Sequence, residues 1–312
     1  MVKMDRFTLL ICASAASVAL IAGCSSTPLG SKITSGSSGT GTSSGSGTSS
    51  GSGTGSGTSS GSGTGTGQPA PAQSSGTKLS NLQASAGWNS WGQGPPDYVD
   101  CSPSPCNGFE YSYAQHVSSP SLSGNATKFN LGGPNGTAHW GDVLFSLPLM
   151  GQFSKQNLPD TDRTLIPSLH DFTYDTDFYV SDASVTQVLE FDVNLYMNGM
   201  GLTWGTQCRI AGGNEWDIWD NVNSHWVPTG VACNPINGGW NHLTIQVQRK
   251  SDNSLLYQSI TLNGVVSNLN ITYPPFTVPV SWYGVTVNYQ MDGNYNQSPY
   301  TTYVDNLSLT YK

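Results

Sequence analysis

The stretch LEFDVNLY, residues 189–196, alternates apolar and polar side chains without interruption. Successive side chains of a β-strand point to opposite faces, so this period of two places the four apolar residues on one face. The other face then carries Glu190, Asp192, Asn194 and Tyr196. A strand with one apolar and one polar face is typical of a sheet that covers a hydrophobic core. The stretch therefore predicts a β-fold with candidate functional side chains on one sheet face.

Similar strand patterns recur through the C-terminal part of the chain, separated at short intervals by glycine, asparagine and proline. No stretch there has the spacing of a long amphipathic helix. The predicted strands are residues 126–131, 172–180, 187–196, 202–210, 215–220, 225–229, 241–249, 255–262, 284–290 and 302–311. So many short strands predict an all-β fold, an antiparallel jelly-roll β-sandwich.

A strand, a tight turn and a return strand follow one another near residue 250 in an order that resembles a known pattern. WNHLTI at residues 240–245 opens a strand, RKSDN at 249–253 makes a tight turn, and LNGV at 262–265 ends the return strand. This run resembles the "W-h-x-h … D-G … h-x-h-N-G" pattern of laminin-G-like domains in the concanavalin A-like lectin/glucanase superfamily. VDNLSL at 304–309 is similar to the last strand of such modules. The resemblance implies a concanavalin A-like jelly roll over most of residues 80–312.

The N-terminus has the order of a secretory signal, with Lys3 and Arg6 before an apolar run at residues 7–22. LIAGC at 20–24 resembles the lipobox of bacterial lipoproteins, which implies a signal peptide at 1–23 and acylation of Cys24, palmitate being one such acyl group. Acyl chains hold a protein on a membrane through buried methylenes. We therefore expect an exported protein that is lipid-anchored to the cell envelope, at the outer membrane because Ser25 is not aspartate.

The amino-acid composition indicates a flexible linker followed by a folded domain. Residues 35–76 are nearly all Gly, Ser and Thr and offer no apolar face to bury, which predicts a lipid-anchored, disordered and flexible linker at 24–76. Residues 77–312 then form one β-sandwich domain, and all nine Trp and fourteen Tyr lie in it.

The net charge of the chain indicates which classes of binding partner to expect. The net charge is −8 with a pI of about 4.8, and phosphate binding requires clustered Lys and Arg. We therefore expect no nucleic-acid partner. Many aromatic and amide side chains with few charges favour a neutral polysaccharide or an envelope glycan as the ligand.

Four cysteines remain after the signal peptide and the lipobox are set aside. In an oxidising compartment they allow three disulfide pairings. We predict Cys101–Cys106, which closes a short Ser-Pro-Ser-Pro loop, and Cys208–Cys233, which brackets a hairpin. A zinc site is the competing interpretation, but the chain has no second CxxC spacing.

Two stretches carry carboxylates in patterns similar to those of glycosidases. Residues 190–194 resemble the E-x-D-x-E strand of laminarinase-type enzymes, which implies catalysis by Glu190 and Asp192 on β-glucan; Asn194 replaces the proton-carrying Glu. The same strand is similar to the E-F-D of legume lectins, which hold metal ions there. No cofactor is expected, although a lone calcium ion held by carboxylates and carbonyls stays open.

The second stretch is NEWDIWDN at residues 214–221. It resembles the E-M-D-I-W-E of cellobiohydrolase-type cellulases, which implies Glu215 as nucleophile, Asp217 as its partner and Asp220 as acid/base. Asp220 is one methylene shorter than the Glu of that pattern, and the competing interpretation is a plain hairpin.

Both hydrolase hypotheses thus lack a complete acid/base pair, whereas stacking aromatics and amides suffice for binding. We expect a cell-surface lipoprotein that displays a non-catalytic, lectin-like carbohydrate-binding sandwich. A glycoside hydrolase and a structural or adhesive envelope protein are the alternatives. The predicted ligand-binding residues are Glu190, Asp192, Asn194, Tyr196, Trp204 and Trp219.

Overall fold

The structure, a computed structural model, describes residues 76–93, 110–132, 141–152, 154–156, 158–278, 281–293 and 298–312. These residues belong to one compact unit. Cys24, Cys101 and Cys106 lie outside the described residues, as do the predicted signal peptide and nearly all of the predicted linker. Among the described residues, no helix is long and apolar enough to cross a membrane.

The described residues are almost entirely β-strand, with a 3-10 helix at Leu82–Ala84 and a short α-helix, α1, at Leu165–Ser168. The strands are β1 (Thr77–Leu79), β2 (Asn89–Gln93), β3 (Tyr111–Val117), β4 (Ala126–Leu131), β5 (Asp142–Gly151), β6 (Asp171–Val180), β7 (Val188–Met197), β8 (Met200–Trp204), β9 (Thr206–Arg209), β10 (Glu215–Asp220), β11 (His225–Ala232), β12 (Gly239–Arg249), β13 (Leu255–Leu262), β14 (Val265–Tyr273), β15 (Phe276–Thr277), β16 (Gly284–Asp292) and β17 (Tyr300–Tyr311).

Two antiparallel sheets make the sandwich. The front sheet has the order β11-β10-β9-β7-β16-β5-β2, and β8 joins β7 to β15. The back sheet has the order β14-β13-β12-β6-β17-β4-β3, with β1 beside β17. Neighbours in space are mostly distant in sequence, as in β7 beside β16 and β6 beside β17. The predicted all-β, antiparallel jelly-roll sandwich is confirmed.

The apolar face of β7 fills the core as its alternation predicts. Leu189, Phe191, Val193 and Leu195 are at most 3% exposed. Phe191 meets Phe178 of the back sheet with ring centroids 5.1 Å apart. The polar residues between them therefore face away from the core, on the outer face of the front sheet.

Two Asn-Gly pairs close hairpins. Asn198 and Gly199, between β7 and β8, both have positive φ, as a two-residue type I′ turn requires. Asn263 and Gly264 do the same between β13 and β14. This second pair was expected to end a strand, whereas the chain continues into β14 (Val265–Tyr273), which was not predicted and forms an edge of the back sheet.

Other strands also differ from the prediction, which lacked β1, β2, β3 and β15 and ended β11 and β16 too early. The single strand expected at 202–210 is divided at Gly205 into β8, which pairs with the end of β7, and β9, which pairs with its start. β5 was not predicted either, and it contains Pro148, a residue that is uncommon within a central strand. Pro148 lies opposite Thr286, beside a β-bulge at Leu149 of β5, where the ladder is already interrupted.

The predicted disulfide Cys208–Cys233 is confirmed, with the Cα atoms 5.6 Å apart. It ties β9 to the residue that follows β11 and closes a sequence separation of 25 residues. Loop-closure entropy for a separation of this size corresponds to about 3 kcal/mol of stability. The bond therefore fixes the β9-β10-β11 side of the front sheet.

Candidate functional site

Polar side chains from three neighbouring strands meet on the outer face of the front sheet. In the register of β7 and β16, Gln290 lies opposite Glu190 and Asn288 lies opposite Asp192. We call this set the polar row. Its members are Asp142 of β5, Glu190, Asp192 and Asn194 of β7, and Asn288, Gln290 and Asp292 of β16.

The polar row is deeply placed and incompletely hydrogen-bonded. Glu190 and Asn288 are each 2% exposed and Asn194 is 5% exposed. Among the described residues, the buried side-chain atoms without a hydrogen-bond partner include Glu190 Oε1, Asn194 Oδ1 and Asn288 Oδ1. A buried polar atom without a partner costs about 1–3 kcal/mol. These three acceptors on one face therefore call for a donor that a ligand can supply.

Two acids of the polar row share a proton. Burial raises the pKa of Glu190 well above its ordinary value, and the charge of Asp292 and a hydrogen bond with it raise it further. Burial also raises the pKa of Asp292, which accepts hydrogen bonds from Glu190 and from Gln290 Nε2 at 2.8 Å. Glu190 is thus the acid of the pair whose charged form is disfavoured more, and it donates to Asp292.

The other acids of the row are also shifted upward. Burial raises the pKa of Asp142 well above its ordinary value, and the charge of Asp292 adds to the effect. Burial raises the pKa of Asp192 to about 8, although the Thr206 N–H, which donates to Asp192 at 3.2 Å, opposes the shift. The row therefore retains protons where surface carboxyls have lost them.

Aromatic side chains lie at one end of the row. Tyr196 continues the outward face of β7 and meets Trp282 edge-on, with ring centroids 4.9 Å apart. Trp282 Nε1 is a further buried atom that has no partner within the described part of the chain. Phe276 packs on the same pair, and its ring lies where a Cβ at position 201 would stand, so Gly201 is required. This end of the row offers both an aromatic surface and an N–H donor.

A second aromatic pair lies beside Gly205, the residue before Thr206, whose N–H donates to Asp192. Trp219 and Trp226 are opposite each other on β10 and β11, with ring centroids 5.1 Å apart. A Cβ at Gly205 would lie 3.0 Å from Trp219 and 3.1 Å from Trp226, so glycine lets these side chains approach the sheet. Trp219, a predicted ligand-binding residue, thus shares the outer face with the polar row.

Trp204 does not share that face. It is 1% exposed, belongs to the core between the sheets and packs on Phe172 with ring centroids 5.4 Å apart. It has the same strand parity as Leu202, which is also in the core. The expectation that Trp204 contacts ligand is therefore wrong, because the alternation of side chains along β8 places its indole in the core.

The carboxylates of the second glycosidase-like stretch are held by ion pairs. Arg209 donates from Nε to Asp217 Oδ2 at 2.8 Å and from Nη2 to Glu215 Oε2 at 3.0 Å. The other Glu215 oxygen accepts from the Gly230 N–H at 2.7 Å. Both oxygens of Glu215 are therefore occupied by structural contacts.

Asp220, the third residue of that stretch, closes the β10-β11 hairpin. Its carboxylate accepts from the N–H groups of Val222 at 2.9 Å and Asn223 at 3.1 Å, and from Asn223 Nδ2 at 2.8 Å. Although burial opposes it, hydrogen bonds from Asn223 lower the pKa of Asp220. An ionised turn residue is unsuited to protonate a leaving group. The structure thus supports the hairpin interpretation.

Within the residues that the structure describes, no three His, Cys, Asp or Glu side chains are arranged to hold a metal ion. The acids of the polar row instead share protons and accept hydrogen bonds from neighbouring side chains and backbone.

A separate group of aromatic side chains lies on the outer face of the back sheet. Its members are Tyr179, Trp240 and Tyr303. Beside it, His242 stands between Asp177 at 3.0 Å and Asp175 at 3.3 Å. Thr244 and Asn306 donate to these carboxylates. The charged groups of this face are paired with neighbouring side chains, although the Ser308 hydroxyl, opposite Asp175, has no partner among the described residues.

Four members of the polar row were missed by sequence reasoning. They are Asp142, Asn288, Gln290 and Asp292. The pattern VTVNYQMD at 285–292 alternates as β7 does, so its outward face was available from sequence. Its position beside β7 was not, because strand pairing between distant segments is set by the tertiary fold.

The strand pairing and this row define a class of protein: an antiparallel jelly-roll β-sandwich with a buried polar row on the outer face of one sheet. No family model matches the chain, and no curated protein matches it in sequence.

Solved structures with similar folds include the cellulose-induced protein Cip1, at 14% identity and a TM-score of 0.41, covering 74% of this chain and 96% of that one. The lectin UEA-II complexed with galactose matches at 12% identity and a TM-score of 0.38, covering 76% and 98%. The alginate lyase Aly36B matches at 11% identity and a TM-score of 0.36, covering 71% and 96%.

Proposed function

We propose that the β-sandwich binds a hydroxyl-rich glycan along the polar row without cleaving it. The observation that carries this proposal is that, among the described residues, the acceptors on Glu190, Asn194 and Asn288 and the nearby N–H of Trp282 have no hydrogen-bond partner. Sugar hydroxyls donate to the first three and accept from the fourth, while an aromatic ring packs on the apolar face of a pyranose. A few convergent polar groups beside aromatic surface are the usual make-up of a ligand site.

We expect Asn288→Leu to weaken glycan binding at least tenfold, because leucine has nearly the same size but removes the acceptor and leaves the sugar hydroxyl unpaired. Wild-type binding is expected to be weak, in the high micromolar range or about −5 kcal/mol. Affinity electrophoresis of residues 77–312 in gels containing β-glucan, xylan or mannan measures both.

The matched control is Tyr303→Ala on the back sheet, which removes an aromatic side chain from the other outer face. It should bind like the wild type. Equal loss in the two variants would place the ligand elsewhere, and no retardation in any gel would favour the structural or adhesive alternative.

A glycoside hydrolase is the second candidate, and one observation favours it: buried acids with raised pKa values are typical of general acids. Asn194 argues against hydrolysis, because it stands where the glycosidase pattern has its acid/base Glu and an amide cannot donate and recover a proton. The same incubations are therefore assayed for reducing ends. Sugar release that Glu190→Gln abolishes would replace the binding proposal with the hydrolase.

We further propose that the chain is exported and lipid-anchored through Cys24, and that the Gly/Ser/Thr-rich segment holds the sandwich away from the membrane. The support is the N-terminal order of positive charge, apolar run and LIAGC. A polar segment of this composition behaves as a flexible spacer.

Cys24→Ala should move the full-length protein from the detergent phase to the aqueous phase on fractionation, because the alanine has no thiol to acylate. The matched control is Ser25→Ala, which leaves the thiol in place. Wild-type-like partition of the Cys24 variant would show that the anchor lies elsewhere.

A further inference from the structure

The polar row contains more carboxyl side chains than the binding of a neutral sugar requires. Asp142, Glu190, Asp192 and Asp292 come from β5, β7 and β16 and are between 2% and 7% exposed. The charges that act on Glu190 are those of the other three acids, all of one sign. Like charges at buried positions repel unless protons or a cation lie between them.

The basic side chain of this face is already engaged. Arg209, opposite Val188 in the register, gives its N–H groups to Asp217, Glu215 and the Gly212 carbonyl. Gln207 also donates to Asp217, at 2.6 Å. The Arg209 charge is thus neutralised on the β9-β10 side, away from the shared proton of Glu190 and Asp292.

On the core side, the described residues that reach the row contribute neutral phenols. Tyr300 donates to the carbonyls of Asp292 at 2.8 Å and Val188 at 3.2 Å. Tyr174 and Tyr257 approach Asp192, and burial raises the pKa of both tyrosines. Within the described part of the chain, these phenols bring no positive charge to the row.

We propose that the glycan recognised by the polar row carries a free amino group, whose ammonium lies among the four acids Asp142, Glu190, Asp192 and Asp292. This inference rests on the proposed function and names its ligand class. Glu190 Oε1 is buried without a partner in the described part of the chain, so it is ready to accept from the ammonium. An ammonium offers three donors and a compact charge.

Two consequences distinguish this ligand class. A sugar carboxylate meets like charge and finds Arg209 occupied, so polyuronates are excluded. A neutral sugar binds through hydroxyls alone, whereas an aminated one also displaces protons from the acids, because the cation favours their ionised forms. Proton release on binding therefore marks the aminated ligand.

The test uses three oligosaccharides of equal length and linkage, built of glucosamine, glucose or glucuronic acid, titrated calorimetrically into the full chain. The glucosamine oligomer should bind about tenfold tighter than the glucose oligomer, or about 1.4 kcal/mol, and the glucuronic acid oligomer should not bind. Its heat should also change between buffers of different ionisation enthalpy, showing net proton release, while that of the glucose oligomer should not.

Asp292→Asn and Glu190→Gln should each reduce the ratio of glucosamine to glucose affinity to about twofold or less, since each removes one partner of the shared proton. Asp175→Asn on the back sheet makes the same chemical change outside the row and should keep the wild-type ratio. Retention of the Cys208–Cys233 bond and of a cooperative unfolding transition shows that each variant is folded.

Equal binding of the aminated and neutral oligomers, tightest binding of the uronate, or an unchanged ratio in both row variants would overturn this inference and leave the proposed glycan binding in place. Binding of none of the three oligomers, together with none of the neutral polysaccharides, would overturn both.

Discussion

Replacing Asp192 by asparagine is expected to make the domain several kcal/mol more stable than the wild type at alkaline pH. The pKa of this carboxyl rises from 3.8 to about 8 on folding. Because the folded-state pKa is the higher one, stability is fully present below pH 3.8 and is lost as the pH rises through about 8. Each pKa unit corresponds to about 1.4 kcal/mol, so the loss is on the order of 5 kcal/mol.

Asparagine has no proton to lose, and its Oδ1 can still accept from the Thr206 N–H. The measurement is urea unfolding of both proteins from about pH 4 to about pH 9, across the window between the two pKa values. The stability of the wild type should fall across this window more steeply than that of the variant. Parallel curves would show that Asp192 is ionised throughout. Asp162→Asn, the same change at an exposed residue, is the matched control.

Phe129→Ala is expected to lower the free energy of unfolding by about 3–5 kcal/mol, the range for deleting a fully buried aromatic ring. Phe129 is fully buried at the centre of an aromatic cluster. Its ring centroid lies 4.7 Å from that of Phe145, 4.8 Å from that of Tyr289 and 6.1 Å from that of Trp88. The cavity would separate the back sheet from the strands that carry the polar row.

Chemical denaturation at neutral pH measures the loss as a lower midpoint with an unchanged slope. Leu122→Ala, at a side chain that is 54% exposed, is the control and should stay within about 0.5 kcal/mol of the wild type. A Phe129→Ala domain that unfolds at nearly the same denaturant concentration would refute the proposed core.

The sheet face on which each side chain of a single strand lies could be predicted from the sequence. In residues 189–196 the alternation separates Phe191, which is in the core, from Glu190 and Asp192, which are on the outer face. The same rule, applied to Leu202 and Trp204, assigns Trp204 to the core. Its assignment to the ligand came from treating it as an exposed aromatic, although most large apolar side chains in a sandwich are core fillers.

Which strands lie side by side in a sheet could not be predicted from the sequence. Asp292 is about 100 residues from Glu190 along the chain, and the two acids share a proton only because β16 lies beside β7. The upward pKa shifts follow from that contact and from burial, and neither is a property of a local motif. The β10-β11 hairpin is the opposite case, since a local pattern indicated the hairpin, although not that Asp220 accepts the hydrogen bonds of its turn.

The sequence by itself determined the β-strand content, the two faces of β7, and the pairing of Cys208 with Cys233 among the candidates, because side-chain alternation and spacing act over a few residues or within one hairpin. Only the tertiary structure decided which strands lie side by side, which aromatics face outward, and which acids come into contact. These depend on long-range pairing, where a register shift of one residue would turn every side chain of a strand to the other face. The candidate site is a product of that register, since three strands from distant parts of the chain supply it.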